Sequence, residues 1–545
     1  MGGGLAGLTL ALQLRKALPE PTMLVVERRS HPVPEAAYKV GESVSEIASR
    51  YLRRALGLGD HLTEQQLRKF ALRFFFSQGD NKDIASRVEI GLTDHIPGAI
   101  VTHQLDRGRL ENWMAEEVTR LGVEFCDGCK VNEVEIDRPA HRLKLAHRET
   151  TATVGARWIV DAAGRPGILK RHLALGQHLE HDCNAAWCRV GSRIAVDDWT
   201  EDESWQARVP SKRRWLSTNH LMGPGYWVWL IPLSSGCTSI GVVADPELHP
   251  FETFNNRERF LEWLGKYEPQ CAEHLAGEDF MDFRVLKHYA HGCERVYSTD
   301  RWFITGEAGV FSDPLYSPGS DDIATSNTFI TDLIVRDYRG EEGVVQLIEQ
   351  ANGFYLFVFA NAIKVWSQQY PLMGNAQVMA TKLRWDLTAY WGLIAPLTCH
   401  DKLVDWEFMN AYLPSLARFG FLNESLQAFL RDWLILDSGE YSDQFIDDGL
   451  FDETVRFSKE LDRDVDDATL LADAQQNSNL MAAMAREIFR HAIGRVPEGA
   501  RPGLVERYGP IFAIDEEETA ADAVARHELS RLWLTPAVEP QMAGS

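Results

Sequence analysis

No stretch of the sequence stays apolar for the roughly 18 residues that a membrane-spanning helix needs, and no secretory leader opens it. Positive charge is short as well: 56 Lys and Arg stand against 79 Asp and Glu, a formal net charge of -23. A nucleic-acid partner is therefore not expected, because phosphate binding wants a basic footprint. Much of the acid lies in one stretch, residues 437–474, which reads as solvated helix faces and loops. The eight cysteines lack metal spacing. Their one Cys-x-x-Cys, Cys126 and Cys129 in FCDGC, has no second pair and falls where a hairpin turn is expected, so no metal is indicated. These absences suit a cytoplasmic protein with reduced thiols and no membrane span. No internal repeat or low-complexity linker appears, and 545 residues are too many for a single core.

A strand is lacking where one is expected. The chain opens MGGGLAGLTLALQL, in which Gly2, Gly4 and Gly7 spell G-x-G-x-x-G. That turn normally follows a buried strand and opens a helix, yet only Met1 precedes it. Met1 is accordingly expected to be an internal methionine at the end of that first strand, with the true start upstream. Beyond the turn, Leu5, Leu8 and Leu12 keep a helical period up to Pro19, and MLVVE (23–27) is a short strand ending in an acid. Glu27 lies 20 residues after Gly7, the spacing of a carboxylate that accepts a ribose hydroxyl. Glycines let the backbone approach a pyrophosphate, and the helix N-terminus adds N–H donors. A dinucleotide site follows.

Three further stretches narrow the nucleotide. DRGRLENWMAEEVTRLGVEF (106–125) is an Arg-led helix running into a strand, ARWIVDAAGRPG (156–167) a strand ending at Asp161, and RWFITGEAGVFSDP (301–314) a strand ending at Gly306 and Glu307. This order resembles the FAD-dependent monooxygenase superfamily. The resemblance implies FAD, with Arg107 and Asp161 at the cofactor. Glu307 replaces the superfamily's usual Asp on the flavin ribityl chain.

Three motifs resemble the flavin-dependent halogenases. GPGYWVWLIPL (223–233) carries Trp-x-Trp-x-Ile-Pro at Trp227, Trp229, Ile231 and Pro232. In an extended chain Trp227, Trp229 and Ile231 share one face, and Tyr226, Val228 and Leu230 the other. Taken alone this is an aromatic core strand; the resemblance makes it a wall between flavin and substrate. LRKFALRFFF (67–76) would place Lys69, Ala71, Arg73 and Phe75 on one strand face. It resembles the family's K-x-G-x-x-F, with Ala71 for glycine, so Lys69 matches the catalytic lysine. Arg73 beside it would lower the Lys69 pKa by like-charge repulsion. KVGES (39–43) lies upstream as the family order requires, which implies Lys39, Gly41, Glu42 and Ser43 in the loop over the flavin. FSDPLYSPGSDDIATSNTFI (311–330) resembles F-x-x-P-x-x-S-x-G at Phe311, Pro314, Ser317 and Gly319. Such a Pro/Gly turn offers backbone N–H groups to a small anion, which the resemblance makes a halide held near Ser317, Pro318 and Gly319. A helix capped by Ser320 or Asp321 is expected to follow. Tyr316 stands where tryptophan halogenases carry Glu, which points away from free tryptophan.

The expected fold is α/β: a discontinuous Rossmann-like FAD-binding domain (1–171 and 291–330), a β-sheet substrate domain (172–290) and an α-helical C-terminal region (331–545). Trp366, Trp385, Trp391, Trp406 and Trp433 in the last part read as core. The expected chemistry joins reduced FAD, dioxygen and halide to halogenate an electron-rich phenol, pyrrole or indole, free or on a carrier protein. A separate flavin reductase is the implied partner, since no second nucleotide fingerprint is present. A flavin hydroxylase or reductase without halide chemistry is the alternative, and a non-catalytic flavoprotein a third if the short N-terminus is real.

Overall fold

A computed structural model describes residues 1–35, 39–137, 139–437, 439–515 and 517–537. The glycine turn leads into helix Leu5–Ala17, whose Leu5, Leu8 and Leu12 are buried as the period requires. Strand Leu24–Val26 pairs in parallel with Glu124–Cys126, and strand Ile159–Asp161 pairs in parallel with Trp302–Ile304. Met1 and Gly2 join the two pairs. The Met1 nitrogen donates to the Val160 carbonyl at 2.8 Å, Ala162 N–H to the Met1 carbonyl at 2.8 Å, and Gly2 N–H to the Val26 carbonyl at 2.8 Å. The glycine turn thus sits at the C-terminal ends of parallel strands, where open α/β sheets bind ligands. Helix Arg107–Arg120 packs against helix Leu5–Ala17 and runs into Glu124–Cys126, as read from the sequence.

A second sheet of eight strands runs in the order Phe280–Leu286, Asn184–Val190, Thr238–Ala244, Tyr226–Pro232, Thr218–Gly223, Leu72–Phe76, Val88–Gly91 and Phe445–Asp447. It crosses the boundaries expected from sequence, because it takes two strands from before residue 172 and one from after residue 331. The Trp-rich strand divides as its alternation demands. Tyr226, Val228 and Leu230 join a cluster under helix Arg257–Tyr267, while Trp227, Trp229 and Ile231 face the other way.

LRKFALRFFF is not one strand. The ladder breaks between Leu67–Arg68 and Leu72–Phe76, and within the break Lys69 N–H donates to the Thr102 carbonyl at 3.0 Å. The alternation that would set Lys69 and Arg73 on one face fails there. Arg73 is wholly buried on Glu89 of the neighbouring strand, and Arg214 Nε reaches the same carboxylate at 2.8 Å. Buried charges are expected to be paired in this way.

From Pro318 the chain is mainly helical, with long helices Pro318–Arg339, Val344–Ala362, Trp406–Leu434 and Asp467–Arg495. Two of these are capped by acids: Asp405 accepts from Phe408 N–H at 3.1 Å and Asp466 from Thr469 N–H at 2.8 Å. Trp385 and Trp433 are fully buried core residues, whereas Trp366 and Trp391 line a cavity. Among the described residues no helix is long and apolar enough to cross a membrane.

Candidate active site

Two cavities lie on either side of a shared partition, and one of them adjoins the nucleotide-binding turn. The larger, about 570 Å³, is lined by Gly2, Gly4, Glu27, Lys39, Gly41, Ser43, Arg107, Glu307, Pro314, Ser317 and Gly319. Most of the expected cofactor residues thus meet in one place. The glycines serve different ends. A Cβ on Gly7 would lie 1.9 Å from the Gly2 carbonyl oxygen, and one on Gly2, whose φ is +107°, 2.2 Å from that of Ala162. These two close the turn itself. A Cβ on Gly4 would meet nothing nearer than the Lys39 ammonium at 3.6 Å, so Gly4 keeps the cavity floor bare. The Glu27 carboxylate accepts from Gly3 N–H at 2.6 Å and Arg29 N–H at 2.8 Å. Arg107 donates to the Val40 carbonyl at 2.7 Å and to Glu111 at 2.8 Å, and Lys39 pairs with the same glutamate. The Arg107 Nε is buried with no partner among the described residues, a polar group left for a ligand. A bare glycine floor, a ribose-spaced acid and cations at the rim fit FAD.

Several expected cofactor residues act at one remove. Asp161 does not reach the cavity; its carboxylate accepts from Ala163 N–H at 3.0 Å and Leu169 N–H at 2.6 Å, fixing the turn whose Ala162–Pro166 backbone does. A Cβ on Gly306 (φ +60°) would lie 3.1 Å from that of Ala6, and Gly306 likewise stays off the cavity wall. Glu42 touches the cavity but is 1% exposed, held by Arg189 at 2.7 Å and Ser239 at 3.0 Å. Arg189 also pairs with Asp282 at 2.5 Å, so Glu42 ties the KVGES loop to the large sheet.

The second cavity, about 340 Å³ and chiefly apolar, lies under the C-terminal helices and has Lys69 in its wall. Lys69 is 6% exposed. Its ammonium donates to the Val44 carbonyl at 2.7 Å and Ser43 Oγ at 3.1 Å, and Ser43 accepts from Thr218 Oγ1 at 2.9 Å. Two of its three protons are thereby held, leaving one valence for the cavity. Burial pulls the lysine down to about 8, opposed by the Glu46 and Asp321 carboxylates. Arg73 is not among the causes, since its charge is spent on Glu89. The direction matches the sequence reading and the cause does not.

The partition between the cavities is made of two segments, each a loop running into the first turn of a helix. Along one, Ser43 faces the cofactor cavity and Ser45 and Glu46 the other; along the second, Ser317 and Gly319 face the cofactor cavity and Tyr316, Pro318, Asp321 and Asp322 the other. Trp227, Trp229 and Ile231, expected on the substrate side, line the cofactor cavity, and Pro232 ends the strand without reaching either. The expected halide residues divide too, with Pro318 on the Lys69 side. Tyr316 (φ +72°) and Ser317 (φ +64°) are both left-handed, a strained pair at the tip of this turn. Helix Pro318–Arg339 starts earlier than expected, with Ser317 rather than Ser320 or Asp321 before it. Asp321 serves another helix instead: it accepts from Ala48 N–H at 2.9 Å and Ser45 Oγ at 2.7 Å, and from Tyr390 Oη at 2.8 Å.

Two groups had no sequence signal. Asp313 Oδ2 accepts from His181 at 2.8 Å, Tyr370 Oη at 2.7 Å and Tyr289 Oη at 2.5 Å, while Trp227 Nε1 donates to Tyr370 Oη at 3.1 Å. This buried network fastens the tryptophan strand to the turn that follows Asp313. The other is the carboxylate group Glu46, Asp321 and Asp322 in the Lys69 cavity; the fold brings Glu46 to the adjacent pair.

More than half of the chain defines a flavoprotein, and the match is direct: residues 1–309 of 545 fit the FAD binding domain family. The chain belongs to that family, and within it groups with the flavin-dependent halogenases as an FAD-dependent oxidoreductase. It is 26% identical over 447 residues to the flavin-dependent halogenase chlA of Dictyostelium discoideum, covering 73% of this chain and 69% of that one. It is 25% identical over 285 residues to the 1H-pyrrole-2-carbonyl-[peptidyl-carrier protein] chlorinase of Pseudomonas fluorescens, covering 51% of this chain and 60% of that one. Among solved structures, halogenase PltM in complex with phloroglucinol and FAD superposes with a TM-score of 0.64 at 16% identity, over 96% and 97% of the two chains. At that identity the likeness is one of fold.

Proposed function

We propose that this protein halogenates an electron-rich aromatic ring, of phenol, pyrrole or indole type, free or presented by a carrier protein. A separate flavin reductase would supply reduced FAD. When bound, FAD supplies the chemistry that turns dioxygen and halide into hypohalous acid. The protein's own part is to carry the halogen across a partition and to aim it. The observation that carries this reading is Lys69, buried, drawn down to about 8, and open to a cavity other than the one lined by the glycine turn. An ammonium there hydrogen-bonds to hypohalous acid, and the neutral amine accepts the halogen as a haloamine; either presents an electrophile to a ring lying against the apolar wall. Ser317 and Gly319, at the cofactor side of the strained turn, suit the halide. Tyr316, bonded through its hydroxyl to Asp386 at 3.1 Å, closes the Lys69 cavity where a tryptophan halogenase has its glutamate.

The test is the mass of the product. With reduced FAD, dioxygen and an activated phenol or indole, added bromide should give monobrominated ring, and no product should form without halide. A ring that gains oxygen alone, whatever the halide, would make the protein a flavin hydroxylase.

A further inference from the structure

The Lys69 cavity is acidic as well as apolar. Each of its carboxylates but one has a strong donor or an opposed charge. Asp386 pairs with Lys382 at 2.7 Å, Asp448 with Arg384 at 2.7 Å, Asp321 holds the three donors named above, and Glu46 lies in the field of Lys69. Asp322 has no hydrogen-bond or salt-bridge partner among the described residues, although it lies in the cavity wall one residue from Asp321. A carboxylate in an apolar wall without a donor costs free energy, which a ligand donor would recover. Lys69 is the buried cation open to this space; Arg68, also at the wall, is exposed.

Resting on the halogenase reading above, we propose that Asp322 accepts the ring hydroxyl of the substrate, and that the substrate is an uncharged phenol rather than an arene bearing a carboxylate. As the ring carbon bonds to the halogen of hypohalous acid, the halogen–oxygen bond breaks. The departing hydroxide takes a proton from the Lys69 ammonium to become water, and the phenol proton passes to Asp322. The ring proton then leaves to the Lys69 amine as Asp322 returns its proton to the oxygen, so phenol and hypohalous acid give halophenol and water. Burial, with Asp321 as neighbour, lifts Asp322 to about 7, which matches a group that must both take and return a proton near neutrality. Glu46, Asp321 and Lys69 are the titratable groups around it that would share in a pH response, while burial lifts the facing Tyr297 and Tyr355 hydroxyls well out of that range. A carboxylate on the ring would meet Glu46, Asp321 and Asp322 together.

The experiment compares 1,3,5-trihydroxybenzene with its trimethyl ether, which keeps the electron-rich ring and loses the donors. Binding is measured calorimetrically on the FAD-loaded protein, and bromination separately. The wild type should bind the phenol at least tenfold more tightly than the ether, and Asp322→Asn should lose most of that ratio, whatever happens to either affinity alone. The phenol-to-ether ratio of bromination rates should collapse with it, and the wild-type ratio should fall as pH drops below about 7. Equal wild-type affinity for phenol and ether, or an unchanged ratio in Asp322→Asn, would overturn the proposal. Binding that behaves as expected without halide-dependent product would instead overturn the halogenase reading and leave the hydroxyl acceptor standing.

Discussion

Lys69 is a residue whose surroundings choose its protonation state. With a pKa of about 8 it is about one-tenth neutral at pH 7, against well under one per cent for a solvated lysine. If the neutral amine takes the halogen, the rate of product formation should climb between pH 7 and 9 with a midpoint near 8. The curve should be absent in Lys69→Arg, which stays protonated throughout. A rate that falls over that range would mean that the ammonium acts as hydrogen-bond donor instead. The glycines give a second residue-scale prediction. Gly4→Val places a side chain over the open floor of the cofactor cavity and should abolish FAD binding while the protein stays folded. Gly7→Val drives a carbon into the Gly2 carbonyl and should unfold the turn itself. Equilibrium dialysis with FAD and circular dichroism separate the two outcomes; if Gly4→Val keeps wild-type affinity, the floor does not carry the pyrophosphate.

At the scale of elements, the break between Leu67–Arg68 and Leu72–Phe76 decides where the lysine points. On one side of it Lys69 reaches the partition loop; on the other Arg73 dives between strands to Glu89, which Arg214 also holds. Glu89→Gln would leave two buried guanidiniums without their shared anion, and removing one partner of a buried pair costs about 3–5 kcal/mol. A clear fall in the thermal unfolding midpoint is the expected outcome, measured on the FAD-free protein; an unchanged midpoint would show the triad to be structurally idle. This break also marks the limit of what could be read from the sequence. The helix Leu5–Ala17, the acid-ended strand at Glu27 and the two faces of the Trp strand were legible because each rests on local period and spacing. The irregular step at Lys69–Ala71 was not, because it depends on Thr102 and Leu216 carbonyls far away in the chain. The same reason hid Asp313, whose three donors come from residues 181, 289 and 370. The tryptophans were placed on the right face but beside the wrong cavity, since alternation gives a side and not what lies across from it.

For the whole molecule the organising fact is that two cavities share one partition. The parallel strands and glycine turn build the first, and helices after residue 344 roof the second, which is why a C-terminal third without motifs still shapes the site. The proposed function divides the labour between them: oxidising chemistry on one side, an aromatic ring on the other, and Lys69 at the crossing. The most direct test is to follow flavin reoxidation and product together in wild type and Lys69→Ala, with reduced FAD, dioxygen, bromide and a phenol. The account predicts that Lys69→Ala consumes reduced FAD at the wild-type rate while brominated product falls by about a hundredfold or more, a step of some 2.7 kcal/mol in the barrier. Brominated product at the wild-type rate would contradict it.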